Sequence, residues 1–564
     1  MTKPAGPTLP PAGPPRPGDI IQSPLGYGRE TVESIVVAFV LALLFRSFEA
    51  EAFVIPTGSM APTLMGRHRD LTCETCGDDF QVGSSAELDD ANCRIDPRAF
   101  VKQARCPNCG AVTRLTDASG KYEHAYPPFT GDRIIVEKFT YDFVEPARWD
   151  VVVFKYPEDA RINYIKRLVG LPGETVAIAG GDIWTSRDDG EFAIARKPPD
   201  KLRAMLQCVH DSRHVAEPLR AAGWPDAWSD WSPEGDQPRW TSGDAGRSFA
   251  VTAAAGRATL RWRHFVPKGW DGPDSPLPRP QPALVGDFQP YNQSPQYVDL
   301  HRDDALGAVV DGARWVGDLA VECLLESTSE GGTVVLDLVE AGVRHTCTLD
   351  LATGEAVLAR GEGADAVRAA AASGVRGRGR WRLLFANVDD ELSLFISGRP
   401  VAFSDSPTWR RPIAAAAETL PVVRGARPGA TEPDDLAPVG ITAQAADVAV
   451  RDLRVLRDLY YVSSGTLAAF QGRDREEAMV TYPLAADQFF MLGDNSSASK
   501  DSRAWGTPEA PLHHVDRRLL IGRALVVFWP HAVPTPWNAK VFERCGWELR
   551  LPCLPNFARM RFVK

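Results

Sequence analysis

Apolar and polar residues alternate in three stretches between residues 131 and 170, and this period of two predicts β-strands. The strands are expected over 131–139, 149–155 and 163–170. In the third strand, Lys166 shares a face with Tyr164 and Leu168, because side chains two residues apart point to the same side. An apolar setting lowers the pKa of a lysine, so Lys166 is a candidate general base. The alternative is an edge-strand lysine whose ammonium group lies in water.

A shorter alternation opens the stretch 53–64 and breaks off at Pro56 and Gly58, so a strand is expected to run into a turn there. Ser59 lies on this turn, two residues after Thr57. A serine held on such a turn can act as a nucleophile, and a neighbouring hydroxyl can stabilise an oxyanion. The alternative is an ordinary turn serine without a chemical role.

Residues 201–460 have a different pattern, in which short β-rich segments alternate with glycine-containing turns. Two such segments, 381–387 and 392–398, flank the turn Val388-Asp-Asp-Glu391. The spacing is typical of an antiparallel sandwich, and the hairpin resembles those of concanavalin-like and laminin-G-like jelly rolls. No carboxylate cluster suited to glycoside hydrolysis stands out. We therefore expect a non-catalytic inserted β-sandwich, with a glycan or a protein as its ligand.

The N-terminal part combines a proline-rich segment with one apolar segment. Residues 1–30 are expected to be disordered, because they hold too little apolar surface to fold. The uninterrupted apolar run, Ile35 to Phe45, covers only 11 residues, whereas a membrane span needs about 20. Flanking residues could extend it to a transmembrane helix over 31–48. A buried globular helix and a cleavable signal ending near Ala52 are the alternatives.

Charge and cysteine content narrow the remaining possibilities. A net charge of -10 argues against a nucleic-acid partner, since binding to phosphates needs a basic surface. Two C-x-x-C-G motifs are typical of a zinc ribbon, in which four thiolates close a structural tetrahedral site. The predicted ligands are Cys73, Cys76, Cys106 and Cys109. Two disulfides are the alternative in an oxidising compartment, and Cys93 has no evident role.

The stretch F-V-I-P-T-G-S-M-A-P-T-L at 53–64 resembles the nucleophile segment of bacterial type I signal peptidases, which are Ser/Lys-dyad peptidases. Later segments match the family's motifs in order, and an ordered set is more specific than any single match. These segments are 131–139, 150–157, 164–173 and 493–503. The resemblance covers residues 49–66, about 125–185 and about 480–530.

The resemblance implies roles for individual residues. Ser59 would be the nucleophile and Lys166 its general base. Thr57 and the Ser59 N–H would form the oxyanion hole, and Ser499 would orient the lysine amine. The pair that supports the site would be Asp501 and Arg503. The pockets for small residues before the cleaved bond would be lined by Phe53, Ile55, Pro56, Met60, Leu64, Val153, Tyr164 and Ile165.

The implied fold is mainly β: a signal-peptidase-type antiparallel β catalytic domain with one N-terminal transmembrane helix, an inserted zinc ribbon and an inserted β-sandwich. The implied function is a membrane-anchored signal peptidase I, which cleaves exported preproteins after A-x-A without a catalytic cofactor. It would cross the bacterial cytoplasmic membrane once, with its N-terminus in the cytoplasm and its catalytic domain outside. The expected domains are the tail 1–30, the anchor 31–48, the ribbon 69–115, the sandwich 201–460, and catalytic segments 49–68, 116–200 and 461–564.

Two other functions fit parts of the sequence. A self-cleaving repressor would share the Ser/Lys chemistry, but it would carry a DNA-binding helical module, and this acidic chain shows none. A catalytically idle surface protein would use only the sandwich, to bind a glycan or a cell-wall polymer. Preprotein cleavage by the wild type and by Ser59 and Lys166 variants distinguishes these alternatives from a signal peptidase.

Overall fold

The computed structural model describes a mainly β protein. It describes residues 31–38 and 50–564, except for 90–93, 117–125, 189, 234–237, 254–255, 268–269, 271–275, 294–313, 362–366, 406, 426, 428–429, 431, 433, 464–479, 508–509, 531–538, 545–546 and 552–555. Cys93 and the proline-rich segment 1–30 therefore lie outside the described residues.

An antiparallel eight-stranded sheet brings the predicted catalytic segments together although they are far apart in the sequence. The strand Asp159–Gly170, here called the lysine strand, lies inside it, with Lys166 opposite Val152 of the neighbouring strand. In sheet order the strands are Ala50–Val54, Arg133–Glu137, Leu520–Trp529, Val151–Tyr156, Asp159–Gly170, Gln488–Leu492 and Val515–Asp516, with Arg561–Phe562 paired to Leu520–Trp529. A smaller sheet contains Ala193–Ile194, Asp182–Arg187, Glu174–Ala179 and Thr481–Pro483.

The large sheet buries apolar side chains on both faces, as expected for strands with long apolar runs. On one face Val151 and Val153 pack with Ile134 and Val136. On the other face the alternate positions Val152 and Phe154 pack with Leu168 and Met491. The lysine strand separates these two cores, so its successive side chains reach different environments.

Between Gln207 and Arg457 the chain forms two further sheets that share one core. Val343–Asp350 shows why: it buries His345, Cys347 and Leu349 at alternate positions. One sheet contains Thr241–Gly243, Ser248–Thr252, Asp447–Arg457, Leu319–Ser327, Gly379–Val388, Glu391–Ile396 and Arg399–Pro400, with Gln207–Asp211 on Asp447–Arg457. The other contains Trp228–Asp230, Arg257–Trp262, Val439–Gln444, Thr333–Glu340, Val343–Asp350, Glu355–Arg360 and Val367–Ala372.

Small sheets and short helices complete the described structure. The cysteine-rich segment contains the sheet Asp79–Gly83, His68–Thr72 and Pro128–Phe129 and the hairpins Leu88–Asp89 with Arg94–Ile95 and Gln103–Arg105 with Val112–Arg114. Other strand pairs are His264–Phe265 with Pro282–Ala283, Gly506–Thr507 with Ala510–Pro511, and Ala539–Arg544 with Trp547–Leu551. Besides the helical residues 31–38, the α-helices are Thr140–Phe143, Pro199–Met205, Glu217–Ala221 and Ile413–Glu418. The 3₁₀ helices are Gly58–Met60, Ser85–Glu87, Pro97–Ala99, Asp244–Gly246, Pro290–Asn292, Ser496–Ala498, Arg517–Leu519 and Phe557–Arg559.

The prediction of a transmembrane helix over 31–48 is wrong. Residues 31–38 are helical and exposed, and 39–49 lie outside the described residues. In the part of the chain that the structure describes, every helix is too short or too polar to cross a membrane. The physical reason is length, because an apolar run of 11 residues rises only about 17 Å as a helix, against a hydrocarbon core of about 30 Å.

Candidate active site

Ser59 and Lys166, which are 107 residues apart in the sequence, come together beside the lysine strand of the large sheet. Ser59 lies in the 3₁₀ helix Gly58–Met60, here called the nucleophile turn, which follows the first strand of the sheet. Lys166 Nζ donates a hydrogen bond of 2.7 Å to Ser59 Oγ and another of 3.0 Å to the Ile165 carbonyl oxygen. Lys166 Nζ is therefore close enough to Ser59 Oγ for direct proton transfer.

Burial gives Lys166 the protonation behaviour of a general base. The residue is 4% exposed. Desolvation lowers its pKa from 10.5 to about 8, although the carboxylates of Asp501 and Asp494 raise it in part. A substantial fraction of the amine is therefore neutral near pH 8, as a base requires.

Thr57 and Ser499 flank the pair but differ in how they contact it. Thr57 is exposed directly before the nucleophile turn, and its side chain makes no capping hydrogen bond. Ser499 is buried, with its Oγ beside Gly493, against which the Ser59 carbonyl oxygen also packs. Among the described residues the Ser499 hydroxyl has no hydrogen-bond partner. The expected bond from Ser499 to the Lys166 amine is therefore not formed, and the amine donates to Ser59 and Ile165.

Asp501 and Arg503 form a buried ion pair next to the loop that contacts Ser59. Arg503 donates from Nε to Asp501 Oδ1 at 2.8 Å and from Nη2 to Oδ2 at 2.7 Å. Asp501 Oδ2 also accepts from Gly493 N, while Arg503 donates to the side chain and backbone of Ser496. The pair therefore fixes Gly493 and Ser496, the two ends of the short loop 493–496 that packs against Ser59.

The predicted pocket residues separate into three environments. One apolar cluster beside Ser59 contains most of them, namely Phe53, Ile55, Met60, Leu64, Val153 and Ile165. Met60 and Leu64 are 0% exposed within that cluster. Tyr164 lies on the other face of the sheet, stacked on Tyr156, with its ring centroid 5.2 Å from Lys166 Nζ. Pro56 is exposed at the edge.

Sequence reasoning missed a second buried ion pair that links the lysine strand to the loop after Gln488–Leu492. Arg167 Nε donates to Asp494 Oδ1 at 2.7 Å and Nη2 donates to Oδ2 at 2.6 Å, with both side chains fully buried. Thr63, just beyond the nucleophile turn, donates its hydroxyl to the same carboxylate. The available signal was a charged residue in a largely buried strand, which requires a partner.

Asn495 joins that loop directly to the nucleophile turn. Its backbone N–H donates to the Ser59 carbonyl oxygen at 3.1 Å, and its Nδ2 donates to the Gly58 carbonyl oxygen at 3.0 Å. The residue is fully buried. Asn495 therefore holds the carbonyl groups of both Gly58 and Ser59, the first with its side chain and the second with its backbone N–H.

The four predicted metal ligands come together. Cys73 Sγ lies 3.6 Å from Cys109 Sγ, and Cys76 Sγ lies 3.7 Å from Cys106 Sγ. All four sulfur atoms lie within 4.8 Å of one another. A disulfide would need a separation of about 2.05 Å, whereas thiolates around zinc at about 2.3 Å lie roughly 3.8 Å apart. The sulfur positions fit a tetrahedral metal site better than they fit disulfides.

A second cluster of potential metal ligands, formed by aspartates, lies between the small sheet and the two-sheet region. Its carboxylate oxygens are within 4.8 Å of one another and belong to Asp182, Asp318, Asp389 and Asp458. Lys197 Nζ donates to Asp389 and Asp458 at 2.7 Å each. A cationic group of the protein itself therefore already neutralises part of this cluster.

Comparisons with known proteins point to one peptidase family. The family model "Signal peptidase, peptidase S26" matches residues 123–213 and 443–529. Signal peptidase I of Leptolyngbya laminosa is 29% identical over 202 residues, which cover 34% of this chain and 66% of that protein. The probable signal peptidase I-1 of Synechocystis sp. is 25% identical over 186 residues, covering 32% and 62%. The chain thus spans slightly less than two thirds of the length of these relatives.

Other similarities are shorter or weaker. Signal peptidase I of Pseudomonas aeruginosa is 48% identical over 58 residues, which cover 8% of this chain and 20% of that protein. Among solved structures, the carbohydrate-binding module CBM66 from Bacillus subtilis aligns with 41% of this chain and 94% of its own, at 9% identity and a TM-score of 0.22. At that score the likeness supports no inference about function.

Proposed function

We propose that this protein is a serine endopeptidase of the signal peptidase I type, which removes signal peptides from exported preproteins. The hydrogen bond of 2.7 Å between Lys166 Nζ and Ser59 Oγ carries the proposal, because it joins a nucleophile to a base of lowered pKa. The similarity of two separate segments, 123–213 and 443–529, to the peptidase S26 family supports it independently.

The reaction begins when neutral Lys166 takes the proton of Ser59 Oγ, which then attacks the scissile carbonyl carbon. The oxyanion is stabilised by the Ser59 N–H and the Thr57 hydroxyl. The lysine ammonium then returns the proton to the leaving amine, and an acyl-enzyme remains on Ser59. Water, deprotonated by Lys166, hydrolyses this ester and restores both residues. No step needs a metal or an organic cofactor.

The apolar cluster beside Ser59 gives a reason for cleavage after small residues. Met60 and Leu64 are completely buried within it, so we expect little room beside them for a substrate side chain. A bulky residue before the cleaved bond would overlap with these side chains, whereas alanine fits. Ser499 keeps its proposed role of orienting the Lys166 amine, because its buried hydroxyl lies beside Gly493 and Ser59 and has no other partner among the described residues.

Cleavage of a purified preprotein tests the proposal. Ser59→Ala and Lys166→Ala are each expected to lower kcat by about 10³-fold or more, because the dyad acts as a unit. Ser186→Ala and Lys201→Ala serve as matched controls, since the Ser186 hydroxyl donates to the Gly190 carbonyl oxygen and Lys201 pairs with Asp150 rather than with Ser59. Undiminished cleavage by folded Lys166→Ala would contradict the assignment of the base.

We also propose that Cys73, Cys76, Cys106 and Cys109 hold a structural Zn²⁺. The spacing of their sulfur atoms supports this, and four thiolates leave no open coordination position for catalysis. Metal analysis of the purified protein with and without reductant is expected to give one zinc per chain under both conditions, and chelation is expected to lower the melting temperature. Two disulfides and no zinc would refute the site. A glycan or protein ligand of the two-sheet region stays a prediction.

A further inference from the structure

We propose that Tyr291 and Asn292, here called the brace, are positioning residues that hold the nucleophile turn in its reactive geometry. They lie in the 3₁₀ helix Pro290–Asn292, more than 200 residues from Ser59 and between strands of the two-sheet region. The inference rests on the proposed peptidase function, and it assigns to this distant segment a part in the reaction.

Tyr291 fills the space beside the nucleophile turn. Its ring lies so close to two glycines that a Cβ on Gly58 would be 1.8 Å from Tyr291 Cε1, and a Cβ on Gly83 would be 2.3 Å from the same atom. Its hydroxyl donates to the Arg67 carbonyl oxygen at 2.8 Å and lies 3.2 Å from Ser85 Oγ. The ring is therefore clamped between the turn and the cysteine-rich segment, and it prevents Gly58 from moving toward it.

Asn292 acts on the same turn through Asn495. Each side-chain amide donates to the carbonyl oxygen of the other at 2.7 Å, so the two residues form a closed pair. Asn292 is 3% exposed and Asn495 is 0% exposed. The second N–H of Asn495 Nδ2 is then directed to the Gly58 carbonyl, while its backbone N–H holds the Ser59 carbonyl. Asn292 thus fixes the rotamer of the residue that holds both carbonyls.

The same segment is anchored on its far side, so it can resist displacement. Gln293 accepts from the Arg105 N–H at 2.7 Å and donates to the Arg105 carbonyl oxygen at 3.1 Å. A reacting serine misplaced by about 1 Å can lose about a hundredfold in rate. Loss of the brace should therefore slow acylation of Ser59 while leaving unchanged the apolar cluster beside Ser59, to which neither Tyr291 nor Asn292 belongs.

The experiment compares Asn292→Ala and Tyr291→Phe with Asn387→Ala in the full-length protein. Asn387 is an equally buried asparagine of the two-sheet region, and it donates to Glu340 rather than to the turn. Asn292→Ala is expected to lower kcat at least tenfold with KM within about twofold and with the apparent pKa near 8 retained. Tyr291→Phe, which keeps the ring, is expected to lose only a few-fold. Wild-type kcat in Asn292→Ala, or an equal loss in Asn387→Ala, would overturn the proposal.

A second readout separates the brace from the proposed function. Acylation of Ser59 by a p-nitrophenyl ester, followed by intact mass, needs no signal peptide. If the wild type leaves preproteins uncut, the proposed function fails, and the brace is then judged by acylation alone. It is supported if Asn292→Ala reacts at least tenfold more slowly than Asn387→Ala, and it is overturned if the two react alike. Where Asn292→Ala does not fold, Asn292→Asp is held to the same thresholds, because it keeps an acceptor for Asn495 Nδ2 but replaces the donor to Asn495 Oδ1 by a second acceptor.

Discussion

Lys166 links the rate of the proposed reaction to pH, because only its neutral amine can accept the serine proton. Burial sets its pKa at about 8. We therefore expect kcat/KM to rise about tenfold per pH unit below pH 8 and to level off above it. Cleavage rates of a preprotein peptide between pH 6 and 9.5 test this. A rate that is flat or falls across this range would exclude a neutral lysine as the base, provided that circular dichroism shows an unchanged fold.

At the level of single residues, the sequence predicts those site residues that periodicity or the order of motifs identifies. Lys166 follows from alternation in its strand, and the approach of Ser59 follows from the resemblance. The absence of a hydrogen-bond partner for the Ser499 hydroxyl cannot be predicted in this way. It depends on where the 3₁₀ helix Ser496–Ala498 ends and places Ser499. For Arg167, the alternation predicts only that its side chain points to the face opposite Lys166. Its partner, Asp494, lies 327 residues away and leaves no local pattern.

At the level of elements, the Arg167–Asp494 pair connects the lysine strand to the loop that carries Asn495. Both side chains are fully buried. Asp494→Asn leaves a guanidinium without its counter-charge, so we expect the free energy of unfolding to fall by about 3–5 kcal/mol. Urea unfolding measures this. Glu330→Gln breaks a pair in which both side chains are more than two thirds exposed, and it should change stability little. Equal effects of the two variants would contradict a structural role for the buried pair.

The strands themselves were largely predictable, and their errors have a local cause. The lysine strand begins at Asp159, whereas the alternation predicts a start at residue 163. Its first residues are mostly exposed and become buried only near Lys166, so the first half has no apolar face to reveal it. The N-terminal segment shows the opposite error, since an apolar run suggested a membrane span that its length does not support.

At the level of the whole molecule, contacts between distant segments determine how the sheets meet, and these are the least predictable from sequence. Lys197 is one of them. It follows the small sheet and donates to Asp389 and Asp458, which lie 192 and 261 residues further along. A buried lysine and two buried carboxylates each look improbable alone, because a desolvated charge is costly. Their burial becomes favourable only because the lysine and the two carboxylates form ion pairs with one another at this junction.

Removal of the Lys197 charge should therefore loosen the junction between the small sheet and the two-sheet region, in a way that depends on pH. We expect Lys197→Met to lower the free energy of unfolding by about 3–5 kcal/mol at neutral pH. Burial already raises the pKa of Asp458 above its usual value, and Lys197 opposes that rise. Without the lysine the pKa should rise further. A carboxyl whose folded pKa exceeds its unfolded pKa favours folding when protonated, so the variant should regain stability relative to the wild type as the pH falls.

Urea unfolding of Lys197→Met at pH 5 and pH 8, with Lys201→Met as the control, tests this expectation. Lys201 is a nearby lysine with a longer contact, 3.5 Å to Asp150, and its side chain is less completely buried. Its variant should lose less stability and show no recovery in acid, because it leaves the Asp389 and Asp458 carboxylates paired. A pH-independent loss in Lys197→Met would mean that the lysine contributes packing rather than charge. The junction would then be held by its apolar contacts and by the Arg411–Asp182 pair.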